Sequence, residues 1–283
     1  MLYDPAMPRK TEHPTGSMIV EYRAFIERIT WYSLGIVNVW ADVNHSEKRM
    51  GDAIGSGTAC TWKGHKLILT AAHVVGNAEP ERLAFLLRVD DAINWEGMGK
   101  PEKVVQRVSL PIEKIVRCKE HDLAAIVLRS DQLADNRIQF CELPKQLRRS
   151  RTLRTKGKLI LHGFPYDRVF SVSERRAANA SVNYLAAKPT ILHAPVAGPP
   201  SKPLASRYNP HRDVLVKYEP PEANMRPEGF SGAAAWCKRR VHSGTIWTAS
   251  PMLFGVQTDA FMTSKLLLIV GAPTIREFLE QSF

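Results

Sequence analysis

No apolar run in this sequence is long enough to cross a bilayer as a helix. The most continuous, LLLIVGAP at Leu266 to Pro273, falls far short of the roughly 18 residues that a span requires. The opening MLYDPAMPRKTEHPTGSM carries acids and prolines and lacks the apolar centre of a secretory signal, so a cytoplasmic protein is expected, with no membrane partner. Cysteine is scarce: Cys60, Cys118, Cys141 and Cys237 form no C-x-x-C pair and no grouping with histidine. A structural metal site is therefore not expected, and the thiols read as small buried hydrophobes in a reducing compartment. Acids are outnumbered, 28 Asp and Glu against 39 Lys and Arg, for a net charge of +11. That balance favours solubility and attraction to acidic partners without assigning a task. Internal repeats are absent as well.

What is present is a chain of 283 residues, enough for one large core or two smaller ones. After a loose segment, residues 1–17, MIVEYRAFIERIT has Ile19, Tyr22, Phe25, Ile26 and Ile29 at helical spacing. Then come many short segments rich in β-branched and apolar residues, among them YSLGIVNVWADV, GSGTACTW, HKLILTAA, RLAFLLRVD, LAAIVLRS, KLILHGF, VLVKYEP, GTIWTAS and MLFGVQTD. Gly, Pro, Asn and Asp punctuate them. Close-spaced strands with few long helices between argue an all-β barrel or sandwich. The final PTIREFLEQSF has Ile275, Phe278 and Leu279 on one face, a closing helix over 271–283.

Two stretches interrupt this pattern. KQLRRSRTLRTKGK, Lys145 to Lys158, holds seven basic residues and no acid. It reads as a solvated connector within 143–158, or as a docking strip for nucleic acid or an acidic protein; no aromatic interleaves it, so the stacking half of a single-strand site is missing and nucleic acid is not the expected partner. The segment 188–213 carries six prolines and is expected to be a surface loop inserted in the second half. The domain reading is thus a helix and first barrel over 18–142, the connector, and a second barrel over 159–270.

In RPEGFSGAAAW a serine, Ser231, stands between two glycines, Gly229 and Gly232. A serine hydroxyl is a weak nucleophile until a base takes its proton, and the usual base is a histidine held by a carboxylate. His73 follows an apolar strand in LILTAAHVVG, and Asp122 precedes one in EHDLAAIVL. A histidine at a strand end is ordinarily structural and an aspartate before a strand is ordinarily a turn former. The three in the order His, Asp, Ser are more informative than any one.

The segments SGTACTWKGHKLILTAAHVV, HDLAAIVL, LILHGFP, PEGFSGAAAW and LFGVQTD resemble, in order and spacing, those of chymotrypsin-like (trypsin-fold) serine peptidases, over most of Ile36 to Val270. The likeness is to the bacterial-type members without disulfides. It implies a double, six-stranded-type β-barrel with an active site between the barrels. It further implies His73 as base then acid, Asp122 as its orienting carboxylate, Ser231 as nucleophile, and the N–H groups of Gly229 and Ser231 as the oxyanion hole. Thr258 matches the position whose hydroxyl bonds the triad aspartate. Gln257, Thr258, Asp259 and Ala260 would line the groove and offer backbone to an extended peptide.

Three positions depart from the family. Phe230 replaces the aspartate that answers activation cleavage, so the enzyme is expected to be competent as synthesised or switched by a protein partner. Val74 stands where a disulfide cysteine would be, leaving Cys60 unpaired, and Ala233 replaces a glycine. At the specificity-pocket position, six residues before Ser231, is Met225, which gives a preference for a small or medium apolar residue; Glu228 and Asp259 lie near it in sequence. The expected activity is a serine endopeptidase of narrow specificity or partner-activated, acting on polypeptide without a cofactor. An α/β-hydrolase reading fails on chain order, because His242 is the only later histidine and no acid separates it from Ser231. A subtilisin-like order, with Asp42 or Asp52 before His73, needs a parallel sheet that the strand pattern contradicts. The alternative from another class is a protease-fold binding module with an unassembled triad.

Overall fold

The computed structural model describes residues 16–41, 49–88, 105–133, 138–148, 157–176, 180–187, 189–198, 200, 208–243 and 246–283. The loose start, much of the basic run and the centre of the Pro-rich segment lie outside them. The described chain is mostly β, in two curled, largely antiparallel sheets with few helices.

Helix α1 (Gly16–Tyr32) leads directly into the first sheet, built from β1 (Ser33–Ala41), β2 (Arg49–Trp62), β3 (His65–Ala71), β4 (Leu83–Arg88), β5 (Val105–Val108), β6 (Ile112–Cys118), β7 (Leu123–Leu128) and β8 (Cys141–Glu142). Its order is β5-β4-β1-β2-β3-β7-β6, with β8 against β2. One turn of helix, α2 (Ala72–Val75), follows β3, and another, α3 (Leu143–Gln146), follows β8.

The second sheet draws on β9 (Lys158–Gly163), β12 (Thr190–Pro195), β13 (Asp213–Lys217), β14 (Ala234–Ser243), β15 (Ile246–Phe261) and β16 (Leu266–Gly271), in the order β12-β9-β14-β15-β16-β13. A separate antiparallel pair, β10 (Val169–Arg176) and β11 (Ala180–Ala187), stands between them in sequence, and α4 (Ala272–Ser282) closes the chain.

The strand period of two explains why so many segments are apolar at every position. In β7, Leu123 and Ala125 point into one buried cluster while Ala124, Ile126 and Leu128 point into another. In β9, Ile160 faces the first of these and Leu159 and Leu161 a third. Each sheet has its own interior, and a shared core joins them: Trp62, Leu67 and Leu69 from the first meet Trp236, Leu253 and Val256 from the second. Helices α1 and α4 are pinned to the shared core by Phe25, Ile29, Ile275 and Phe278. Each such side chain contributes about 1.5–3 kcal/mol by leaving water.

Three expectations change. The first sheet has eight strands, seven in its main order and the two-residue β8, which adds in parallel beside β2 with Cys60 opposite Cys141. All four cysteines are free thiols, and burial, followed by the Cys141 thiol, pushes the Cys60 thiol up. The Pro-rich segment is not all loop: Thr190–Pro195 forms β12 against β9. It lies at the sheet's edge, where the proline at its last position costs no interior ladder bond. Finally, IWTAS, from Ile246, and MLFGVQTD belong to one strand, β15, which runs through Pro251.

Candidate active site

Strands β3 and β7 are paired up to Ala71 opposite Leu123, and both candidate residues of the first sheet lie just beyond that last pair. The ladder continues one step as the Ala72 N–H donates to the Asp122 carbonyl at 2.9 Å. Asp122 sits at φ 52°, a left-handed conformation that aspartate tolerates better than most residues. This turns its carboxylate onto His73: Oδ1 accepts the His73 backbone N–H at 2.9 Å and Oδ2 lies 2.7 Å from Nδ1. A carboxylate oxygen accepts, so in this contact Nδ1–H is the donor and the ring's other nitrogen, Nε2, is the one turned away from Asp122. The imidazole is exposed while its carboxylate partner is mostly covered, at 44% and 16% side-chain accessibility.

Ser231 comes from the second sheet, in the loop that enters β14. Pro227 to Phe230 closes a turn, the Phe230 N–H reaching the Pro227 carbonyl at 3.0 Å. Phe230 is fully buried in the second sheet's own interior and anchors this loop by packing. Gly229 and Gly232 have φ of 92° and 87°, conformations in which a side chain is strained. Space is closed at both: a Cβ on Gly229 would strike the Phe164 carbonyl, and one on Gly232 the Ser56 carbonyl and Thr70 hydroxyl. Among the described residues, neither Gly229 nor Ser231 donates its backbone N–H.

Ser56, which sequence reasoning missed, ties this loop to the first sheet. It is wholly buried on β2; its hydroxyl donates to the Gly229 carbonyl at 2.6 Å and accepts the Phe164 N–H at 2.9 Å. Its N–H donates to the Ser231 carbonyl at 2.7 Å, and its own carbonyl accepts the Thr70 hydroxyl at 2.7 Å. A serine in the Gly-Ser-Gly-Thr run reads as a strand residue; only the contact across the two sheets reveals the clamp.

The loop is held from the other side by β15. The Gly232 N–H donates to the Gln257 carbonyl at 2.8 Å, and the Gln257 N–H to the Ala233 carbonyl at 2.9 Å. A register shift between Gln257 and Asp259 makes Thr258 a bulge. His73, Pro227, Glu228, Ser231, Thr258, Asp259, Ala260 and Met262 line one cleft of about 260 Å³. The structure thus brings His73, Ser231, Thr258, Asp259 and Ala260 together, with Asp122 bonded to His73.

Two residues expected at the groove have buried side chains. The Gln257 side chain is fully buried, and its amide donates to the Asp259 carbonyl at 2.9 Å, bracing the bulge. Met225 packs in the second core, where its carbonyl accepts the Tyr218 hydroxyl at 2.9 Å. Burial, then the carboxylates of Asp167 and Glu228, raise the Tyr218 phenol, which keeps it a donor. Among the described residues no group of His, Cys, Asp and Glu is arranged to hold a metal ion. Compared with the models of known protein families and with curated proteins, the chain matches none.

Proposed function

We propose that this protein is a serine endopeptidase of the chymotrypsin-like kind, with His73, Asp122 and Ser231 as its triad. The observation that carries the reading is the bidentate grip of Asp122 on His73, at 2.7 and 2.9 Å, beside a cleft that His73 shares with Ser231. A carboxylate bonded to both the backbone and Nδ1 of one histidine fixes the ring and its tautomer, which is what a base for a hydroxyl needs.

In this mechanism Nε2 of His73 takes the Ser231 proton as Oγ attacks the scissile carbonyl carbon. The resulting oxyanion is held by the Gly229 and Ser231 N–H groups, and the imidazolium by Asp122. His73 then passes its proton to the leaving amine, and water repeats the sequence on the acyl-enzyme. The positive φ at Gly229 and the absence of a described acceptor for either N–H support this assignment. Phe230 in place of an activation-dependent aspartate fits an enzyme competent without cleavage of its own chain, its loop held by burial and by Ser56.

The test is turnover of a diverse peptide mixture by wild type, Ser231→Ala and His73→Ala. The reading predicts cleavage by wild type and a loss of at least about 10³-fold in each variant. A wild type that cuts nothing, with Ser231→Ala binding its partner as wild type does, would instead establish a binding module on this fold.

A further inference from the structure

The hairpin of β6 and β7 that delivers Asp122 also carries Arg117, which lies opposite Ala124 in the ladder. Its guanidinium reaches the chain that leaves the one-turn helix bearing His73. Nε donates to the Gly76 carbonyl at 2.9 Å and Nη2 to the Ala78 carbonyl at 3.0 Å, while Nη1 donates to the Ile115 carbonyl of its own strand at 3.3 Å. All three bonds go to main-chain oxygens, and among the described residues Arg117 pairs with no acid. A guanidinium presents its donors in a planar fork, so it fixes two carbonyls of one loop together.

Helix α2 and the loop after it are held by different means. Val74 and Val75 are buried in the first sheet's interior, and His73 is bonded by Asp122 at both its backbone and its ring. Past them the support thins. Gly76, at φ 44°, and Asn77 are exposed, and the Gly76 and Ala78 N–H groups turn back to the Ala72 and Val75 carbonyls. The outward carbonyls of Gly76 and Ala78 are left to Arg117. A second cleft, of about 420 Å³, opens along this loop, lined by Val74 to Glu79 with Asn38, Arg82 and His73. His73 is the one residue common to this cleft and the cleft that holds Ser231. In acyl transfer the base hands its proton to the leaving amine, so the departing part of the substrate lies beside the imidazole while the acyl part stays on the serine. The second cleft, across His73 from Ser231, is the place for the departing part.

We infer that Arg117 is a positioning residue of the proposed reaction: by fixing the Gly76 and Ala78 carbonyls it holds the wall of the second cleft, and with it the seat of the residues that follow the scissile bond. This deepens the peptidase reading and rests on it. Because Asp122 and the two buried valines hold His73 independently, releasing the wall is expected to slow reactions whose leaving group is a peptide and to spare those whose leaving group is too short to reach it. A bound group misplaced by about 1 Å can lose on the order of 10²-fold in rate, so a loop freed at two carbonyls is enough to be measured.

The experiment compares wild type, Arg117→Met and Arg117→Lys, each checked for folding by its thermal midpoint. The readouts are the rate of labelling by a small uncharged fluorophosphonate, kcat/KM for a peptide that wild type cuts, and kcat/KM for the anilide carrying the same residues before the bond and none after it. Arg117→Met keeps the apolar stem and removes every donor; it is expected to lower kcat/KM for the peptide about tenfold while labelling and the anilide stay within about twofold of wild type. Arg117→Lys, whose single head replaces the fork, is expected to fall between them, and it carries the test if Arg117→Met does not fold. An equal fall in all readouts, or no fall on the peptide in the folded variants, would overturn the inference and leave the peptidase standing. Loss of folding in both variants would overturn it as well, by making the guanidinium a requirement of the fold. A wild type that cuts no peptide would overturn the peptidase reading and this inference with it.

Discussion

Ser56 performs its positioning entirely through hydrogen bonds across the two sheets. Ser56→Ala strands the Gly229 carbonyl and the Phe164 N–H without their hydroxyl partner, at about 1–3 kcal/mol for each buried group left unsatisfied. Urea unfolding is expected to show that loss, and peptide turnover to fall in kcat more than in KM, because the loop carrying Gly229 and Ser231 loosens. Gly232→Ala meets a harder limit: a positive φ of 87° and no room beside the Ser56 carbonyl. More than about 2 kcal/mol of stability should go, read as a lower thermal midpoint. At Asp122 the consequence is chemical. Asp122→Asn keeps the size of the side chain but lets the amide donate, favouring the wrong His73 tautomer, and turnover is expected to drop on the order of 10⁴-fold with little change in stability.

Among the elements, α1 docks through a polar as well as an apolar contact. Tyr22 stacks on His193 of β12 with centroids 5.9 Å apart, its hydroxyl 2.8 Å from Nε2, and Lys238 lies 4.8 Å over the Tyr22 ring. Burial, then the charges of Lys158 and Lys238, push the His193 imidazole below its ordinary range. A depressed imidazole binds fewer protons folded than unfolded, so stability rises with pH between the lowered value and about 6.5 and is flat above. Acidification from pH 7 through that window should weaken α1 docking, seen as lower amide protection in α1 relative to the intrinsic exchange rate at each pH, and His193→Gln should flatten the dependence. The helix itself was legible, since Phe25 and Ile29 are one turn apart and both fully buried. The β12 strand was not, because Pro189 and Pro195 mask a five-residue strand signal between them and edge position excuses the second. Nor was the β10–β11 pair, whose Ser, Glu, Arg and Asn content dilutes any apolar alternation.

At the scale of the molecule, two sheets with separate interiors are joined by the shared core and by two polar straps. One strap is Ser56. The other is Arg212, which grips the buried Asp213 carboxylate at 2.8 and 3.0 Å and reaches Nδ1 of His121, the neighbour of Asp122, at 2.9 Å. The Asp213 side chain is wholly buried, so Arg212→Ala leaves an uncompensated charge and is expected to cost about 3–5 kcal/mol in chemical unfolding. Strand content and the His73, Asp122, Ser231 order were readable because each depends on local sequence. The straps, the Thr258 bulge and the acidic character of the cleft depend on which distant loops meet, and a single sequence does not encode that locally.

The central claim is that Ser231 is activated. Intact-mass analysis of wild type and Ser231→Ala after exposure to a fluorophosphonate tests it most directly. One adduct per wild-type chain and none on the variant is the predicted result; a wild type that stays unmodified, or a variant modified as readily as wild type, would contradict it.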